Sequence, residues 1–537
     1  MAGITLPSIG IEGKVTGRGA GTLIRGFGIF GVMVFGVHCI SLSSSGLLPF
    51  SSVAGLWPGS NLVGVLTIAM VLCLFHAYIY AAIGSAVPYS GADYLLSSRT
   101  INPPLAFAAS WTLVVFSALV AGSLIAVIPQ STIPTLLQTM GIIFQNNQLI
   151  SLATQSTTPQ GIIVIGTICT VLAFVTTILP PKVIQNILII GFVLGILAWI
   201  IIYFQLATAS TNAFPLAWDR FMGSGSYEQQ IGLARSLNMT MNPNPGVVTI
   251  AGLIMGFWIF YGYYIPTFFA GEVKRPESTL LAGSWASLIV TWAIFVVATI
   301  LLERLVPPEW ISAESYLYQI HYQSLTMPWI IFYAAILKPS LPLIITVAFA
   351  WVYTLINLVQ TYFFYCSRII LSWAGDGLMP DLVGFVHPRL RTPIIAVLIV
   401  AIIAQIGVVD AAQGGVIGAQ LNFVFFAVCA QLIPVISATF FPFLNAEWFN
   451  GSNGFVKRKI LKIPVITIVG IITLIYLIWL IVSSFVYPIV AGPIKFSNLF
   501  TLALFILSGV AWFYIRAAYL KRNGRDLWSA FKTLPQD

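Results

Sequence analysis

Charge is what this chain has least of. Asp, Glu, Lys and Arg make up only 7% of its 537 residues, against roughly 25% in a soluble protein. Hydrophobic residues reach 58%, and the mean hydropathy is +0.96. So few polar residues cannot cover a water-soluble core, which excludes the several soluble domains that the length alone would suggest. The chain reads as an integral membrane protein. Cysteine is scarce too: Cys39, Cys73, Cys169, Cys366 and Cys429 all fall in apolar runs without metal-ligand spacing. That excludes a disulfide framework, a redox pair and a metal centre, and leaves them as packing residues. No Gly-rich phosphate loop is present, which argues against ATP-driven pumping. No His-x-x-x-His, intramembrane carboxylate pair or Ser–His pair points to an enzyme, and no repeated filter sequence points to a channel. No cofactor is expected.

What the chain does have is long apolar runs. A span needs about 20 mostly apolar residues, and twelve segments qualify, near 23–47, 61–86, 103–129, 160–180, 183–209, 247–270, 279–302, 340–366, 393–409, 418–443, 463–487 and 496–516. Residues 1–22 are Gly-rich and lack the apolar core of a cleavable signal, so the first span is expected to act as an uncleaved anchor. With the N-terminus placed in the cytoplasm, 19 of the 24 basic residues fall on that side. They include Lys14, Arg18 and Arg25, the group Lys457, Arg458, Lys459 and Lys462, and Arg516, Lys521, Arg522, Arg525 and Lys532 at the C-terminal end. Arg220, Arg235, Arg304, Lys338 and Lys495 fall outside. This asymmetry satisfies the positive-inside rule. It accounts for the net charge of +9 without a nucleic-acid partner, and predicts a multi-pass cell-membrane protein with both termini cytoplasmic. Three long outer segments, 130–159, 210–246 and 303–339, are expected to carry short helices or a lid. Asn238-Met239-Thr240 is a glycosylation triplet on the outer side, and Asn450-Gly451-Ser452 matches on the inner side.

Two spans look broken. The first passes through Ile40-Ser41-Leu42-Ser43-Ser44-Ser45-Gly46-Leu47-Leu48-Pro49. The sixth passes through Trp258-Ile259-Phe260-Tyr261-Gly262-Tyr263-Tyr264-Ile265-Pro266, where Pro266 cannot donate to the Gly262 carbonyl. Breaks at corresponding places in two five-helix halves are the pattern of inverted repeats sharing a midplane site. N–H groups at Ser44, Ser45 and Gly46 would face a carboxylate, and carbonyls at Leu42, Trp258 and Tyr261 an ammonium group. The competing reading of the Ser cluster is close helix packing alone.

At these motifs the sequence resembles the amino acid–polyamine–organocation transporter superfamily over nearly its whole length. Ser44-Ser45-Gly46 stands where the family has Gly-Ser-Gly or Gly-Ala-Gly. Pro88-Tyr89-Ser90-Gly91-Ala92-Asp93-Tyr94 is close to Pro-x-x-Gly-Gly-x-Tyr, and Gly271-Glu272-Val273-Lys274-Arg275-Pro276 is similar to Glu-Val-Lys-x-Pro. Ser367-Arg368, Asp376-Gly377-Leu378-Met379-Pro380 and Thr392-Pro393 follow in the family's order. The resemblance implies an all-α membrane protein of twelve transmembrane helices. Its five-plus-five inverted repeat (leucine-transporter-like) would occupy 23–209 and 247–443, with two further helices at 463–516. It implies an amino acid permease working by alternating access, whose partners are a small-molecule amino acid, a coupling ion and the lipid bilayer, with no obligate protein partner. Ser45 and Gly46 would hold the carboxylate, Leu42, Trp258 and Tyr261 the amino group, and Trp258 and Phe260 would gate the site beside Gly262. Some proton-coupled relatives carry a Lys in the fifth helix, where this chain has Gly191 or Phe192.

Ionisable groups at bilayer depth mark function. His38 and His76 are either proton carriers or neutral rings bonded to helix carbonyls. Thr361, with Asn357 and Gln360, is either part of a cation site or an interhelical hydrogen bonder, and the same two readings apply to Asn422 and Gln431. Asp93, Glu272, Arg368 and Asp376 are candidates for a cytoplasmic gate, or solvated loop charges. Trp199, Trp292, Trp479 and Trp512 read as interfacial anchors. A neutral amino acid is the expected substrate, with proton coupling ahead of sodium. A polyamine or organic cation, an exchanger, or a transporter-like receptor are the alternatives.

Overall fold

The computed structural model describes residues 23–322, 328–452, 454–487 and 493–533. The N-terminal tail with Lys14 and Arg18 lies outside these residues. Among the described residues the chain is helical apart from one short hairpin at Lys459–Ile460 and Ile463–Pro464. Ten helices are long and apolar enough to cross a membrane, and two shorter apolar ones accompany them.

In chain order, the short α1 (Ile29–Ile40) leads to α2 (Leu62–Ala86), the polar α3 (Ala92–Thr100) and α4 (Pro103–Val127). Next come α5 (Pro159–Thr177), α6 (Pro181–Thr208), the short α7 (Pro245–Ile259), α8 (Pro276–Glu303) and α9 (Pro308–Gln319). The chain closes with α10 (Leu341–Gly375), α11 (Ile394–Ala412), α12 (Phe423–Leu444), α13 (Val465–Val486) and α14 (Phe496–Arg522). The helix starts are written in the sequence. Asn61, Asn102, Asn244 and Asn422 each accept a backbone N–H from the first turn, satisfying a donor that the helix cannot. Proline at the first helical position follows the Asn caps of α4 and α7 and also opens α5, α6 and α8, where its missing N–H costs nothing.

α8 packs along α1 and α2, α10 along α6, and α11 between α4 and α5. At the crossing of α4 and α11, a Cβ on Gly122 would come within 2.0 Å of the Ala404 carbonyl oxygen. Only glycine lets these backbones approach so closely. Two helices outrun their expected ends. α10 runs past residue 366 to Gly375, because its last turns are buried in protein and Arg368 has a partner there. α4 continues through a wide turn at Ile128–Thr132 into the helix Ile133–Ile143. The long segments after α6 and α8 carry helices at Ala213–Met222, Ser226–Ser236, Pro308–Gln319 and Ile330–Leu337. Phe214, Trp218, Tyr227, Trp310 and Tyr333 join these through ring contacts.

Candidate substrate site

Both expected breaks are present, and they touch. α1 stops at Ile40, where Ser41 turns to φ 72°. The Ser44 N–H donates to Ser41 Oγ at 3.1 Å, and the Ser45 hydroxyl donates to the Ile40 carbonyl. Serine thus supplies bonds that the broken helix cannot. The chain resumes as a 3-10 turn at Ser45–Leu47, whose first N–H groups have no partner within the helix. α7 ends at Ile259, and the chain resumes as another 3-10 turn at Ile265–Phe268. Between them Gly262 takes φ 123°, and a Cβ there would lie 2.6 Å from the Cys39 carbonyl carbon. This glycine is required twice, for its backbone angle and for the seam between the breaks.

A cavity of about 610 Å³ opens beside this seam, within the usual range for small-molecule sites. Ser44 and Ser45 line it from the first break, and Trp258 and Tyr261 from the second. Met255, Trp351, Leu355 and Leu358 add apolar wall, and Asn422 lines it while capping α12. Among the described residues no Asp, Glu, Lys or Arg lines it, and His321 is its one imidazole. The remaining expected residues stand behind the wall. The Leu42 carbonyl accepts the Trp199 indole N–H at 3.1 Å, Gly46 lies flat against Trp199 and Phe295, and Phe260 stacks near Phe295. Trp199 is therefore not an interfacial anchor. It is 1% exposed, because its N–H closes a carbonyl freed by the break. No local sequence signal marks that role.

The polar residues of the spans are mostly bonded to other helices. The His38 Nε2–H donates to the Leu188 carbonyl at 2.7 Å, and Gly191 faces both His38 and Asn357. The Thr361 hydroxyl donates to the Leu358 carbonyl at 2.6 Å. The Gln360 amide donates to the Thr176 carbonyl at 3.1 Å, and the Gln431 amide to the Tyr264 hydroxyl at 2.7 Å. His76 differs: its Nδ1 shares a 2.7 Å hydrogen bond with the Tyr263 hydroxyl, and its buried Nε2 has no partner.

The four gate candidates are not loop charges in water. Glu272 and Arg368 form a 2.8 Å ion pair with neither side chain exposed, and the guanidinium lies 3.7 Å from the centre of the Phe364 ring. Asp376 takes two 2.7 Å bonds from Arg99 and one from the Tyr94 hydroxyl. Arg99 goes unmarked in the sequence reading, although it follows the Asp93-Tyr94 motif within the same helix. It also donates to the Ala530 carbonyl and lies over Phe531, which pins the chain beyond α14 to the same place. Asp93 is 1% exposed and pairs with no cation; burial pushes its carboxyl up to about 7. The ten residues from Leu358, in the cavity wall, to Arg368 put the Glu272–Arg368 pair about 15 Å along α10.

A cavity set beside two broken helices, in a chain with ten helices long and apolar enough to cross a membrane among the described residues, is the anatomy of a membrane transporter rather than of an enzyme. The chain belongs to the amino acid permease family, whose model matches residues 27–515, within the superfamily that the motifs resemble. It is similar to the branched-chain amino acid permease BcaP of Bacillus subtilis (strain 168), with 22% identity over 378 residues, 70% of this chain and 73% of the relative.

Proposed function

We propose that the protein is a secondary active transporter that moves neutral, predominantly apolar amino acids across the cell membrane by alternating access, coupled to protons. The observation that carries this reading is the cavity wall, which combines backbone freed by two breaks with aromatic and aliphatic side chains and no charge. A zwitterion has its carboxylate against the backbone N–H at Ser45, which lines the cavity from the first break. Its ammonium group meets the carbonyl at Tyr261, since those of Leu42 and Trp258 already accept the Trp199 indole N–H and the Tyr261 backbone N–H. A polyamine requires carboxylates, and Glu272, beyond the second break, is fully buried against Arg368, while the Asp410 carboxylate is taken up by the N–H groups of Ile417 and Gly418. The branched-chain relative supports a side chain of that size and polarity.

In this reading the ten long helices and the two broken ones make twelve spans. Residues 23–209 and 247–443 are inverted repeats, 463–516 add two helices, and both termini are cytoplasmic. Tyr318, Gln319 and Trp329 line the cavity from the segment that the basic-residue count places outside. The two ion pairs lie at the inner mouth, so this conformation faces outward. Uptake of labelled leucine, isoleucine and valine into proteoliposomes tests the reading, with imposed proton or sodium gradients compared against none. Accumulation under a proton gradient is expected. Binding without uptake of any amino acid would leave a receptor and refute transport.

A further inference from the structure

Several buried polar groups near the second break have no partner, and they are neighbours. Tyr261 lines the cavity, and its hydroxyl faces the Tyr264 hydroxyl and the Gln431 side chain without a close hydrogen bond among the described residues. Its ring lies 5.5 Å from that of Tyr264, which is 5.2 Å from His76 and 4.5 Å from Tyr80. The rings of His76 and Tyr80 are 4.8 Å apart. Among the described residues, His76 Nε2, the Tyr80 hydroxyl and Asp93 Oδ1 are all buried without a hydrogen-bond partner, and the helix that carries His76 and Tyr80 packs against α3, which carries Asp93. Unsatisfied buried groups are rare and costly, and a file of them leading from a cavity to a carboxyl needs an explanation.

We propose that Tyr261, Tyr264, His76 and Tyr80 relay a proton between the substrate cavity and Asp93, and that Asp93 is the site that holds the transported proton before its release at the inner mouth. The proposal rests on the transporter reading above and names its coupling residues. One proton enters from the outer water through the cavity and passes from side chain to side chain as their O–H and N–H groups turn to meet, since the unpaired groups are not bonded to one another in this conformation. It leaves from the Asp93 carboxyl to inner water, so charge and protons balance over the cycle. The other titratable groups on elements packed around α3 are mostly committed. Arg99 and Tyr94 hold Asp376, and Arg368 holds Glu272. Cys73 and Tyr78 on α2, Tyr353, Tyr362, Tyr365 and Cys366 on α10, Cys429 on α12 and Lys532 in the C-terminal turn complete the set, while α4 and the Ile265–Phe268 turn supply none. A carboxyl buried without a cation changes charge near neutrality, which suits a carrier and not a permanent ion pair. The bonded ring of His38 and the bonded hydroxyl of Thr361 leave no comparable opening.

The test uses the full chain in proteoliposomes with labelled leucine, read two ways: accumulation with acid outside, and exchange counterflow at equal pH. Asp93→Asn is expected to lose accumulation at least tenfold and keep counterflow. Asp93→Glu restores accumulation, and Tyr80→Phe slows it while counterflow stays. The route is overturned if Asp93→Asn still accumulates leucine as the unaltered protein does, or if it loses both readouts, which marks a structural role. Drive by sodium with no response to pH also overturns it. An unaltered protein that neither accumulates nor exchanges leucine refutes the transporter reading instead.

Discussion

In the proposed transporter the Glu272–Arg368 pair holds the inner mouth shut, and its removal gives the most direct test of that role. Glu272→Gln removes one charge and leaves the Arg368 guanidinium buried at 0% exposure, with one of its nitrogens already unpaired. Breaking a buried pair from one side costs about 3–5 kcal/mol. The Phe364 face remains beneath the guanidinium at 3.7 Å, which places the cost near the lower end, about 3 kcal/mol. At about 1.4 kcal/mol per decade, the ratio of closed to open mouths falls on the order of a hundredfold. Ser90, 4% exposed and bridged to Phe269 by backbone, lies behind the closed mouth. A Ser90→Cys reporter should therefore react with a membrane-impermeant thiol reagent from the inner side much faster when Glu272→Gln is present. Arg368→Gln should do the same, and the double substitution should recover part of the loss, because no orphan charge remains. Labelling that is unchanged in both single variants, or strictly additive in the double, would sink the argument that this pair is the latch.

Gly262→Ala should abolish uptake and lower thermal stability in detergent, since a Cβ at φ 123° would lie 2.6 Å from the Cys39 carbonyl carbon and cost about 2 kcal/mol or more. Trp258→Ala should weaken substrate binding by about tenfold or more while leaving the fold intact, read as a shift in half-saturation with expression unchanged. Burial raises Asp93 from 3.8 to about 7, so between those values the folded state binds more protons than the unfolded. Stability should therefore fall as pH rises from about 4 to 7 and level off above. Asp93→Asn should flatten that slope in melting temperatures measured against pH. Arg99→Lys replaces a forked donor set by a point charge and should loosen both Asp376 and the chain around Phe531, seen as faster proteolysis after α14.

The sequence displayed the spans because each needs an uninterrupted apolar run, and it displayed both breaks because only serine, glycine and proline tolerate them. Ser44, Ser45, Trp258 and Tyr261 were legible as cavity lining for that reason. Gly46 and Phe260 were not placed correctly by the same signals, since facing the cavity or Trp199 depends on the rotation of a short 3-10 turn, which no periodicity encodes. Trp199 read as an interfacial anchor and Arg99 only as one more inner basic residue, because their partners, Leu42 and Asp376, are 157 and 277 residues away. The gate charges were identified singly from their motifs, yet which pairs with which is a property of how α3, α10 and the second break meet.

Arg368 lies in the last turns of α10, and Asp376 immediately follows that helix. One rigid rod therefore carries half of each ion pair, and its partners sit on two different elements, α3 and the segment after the second break. The Glu272 carbonyl also takes the N–H groups of Gly26 and Phe27, tying the chain before α1 into the same joint. A tilt of α10 cannot release one pair and spare the other. Partial openings, with one latch undone, would strand a buried charge while gaining no aqueous path. The mouth should thus behave as a two-position device with sparsely populated intermediates, which is what keeps a carrier from leaking ions between turnovers.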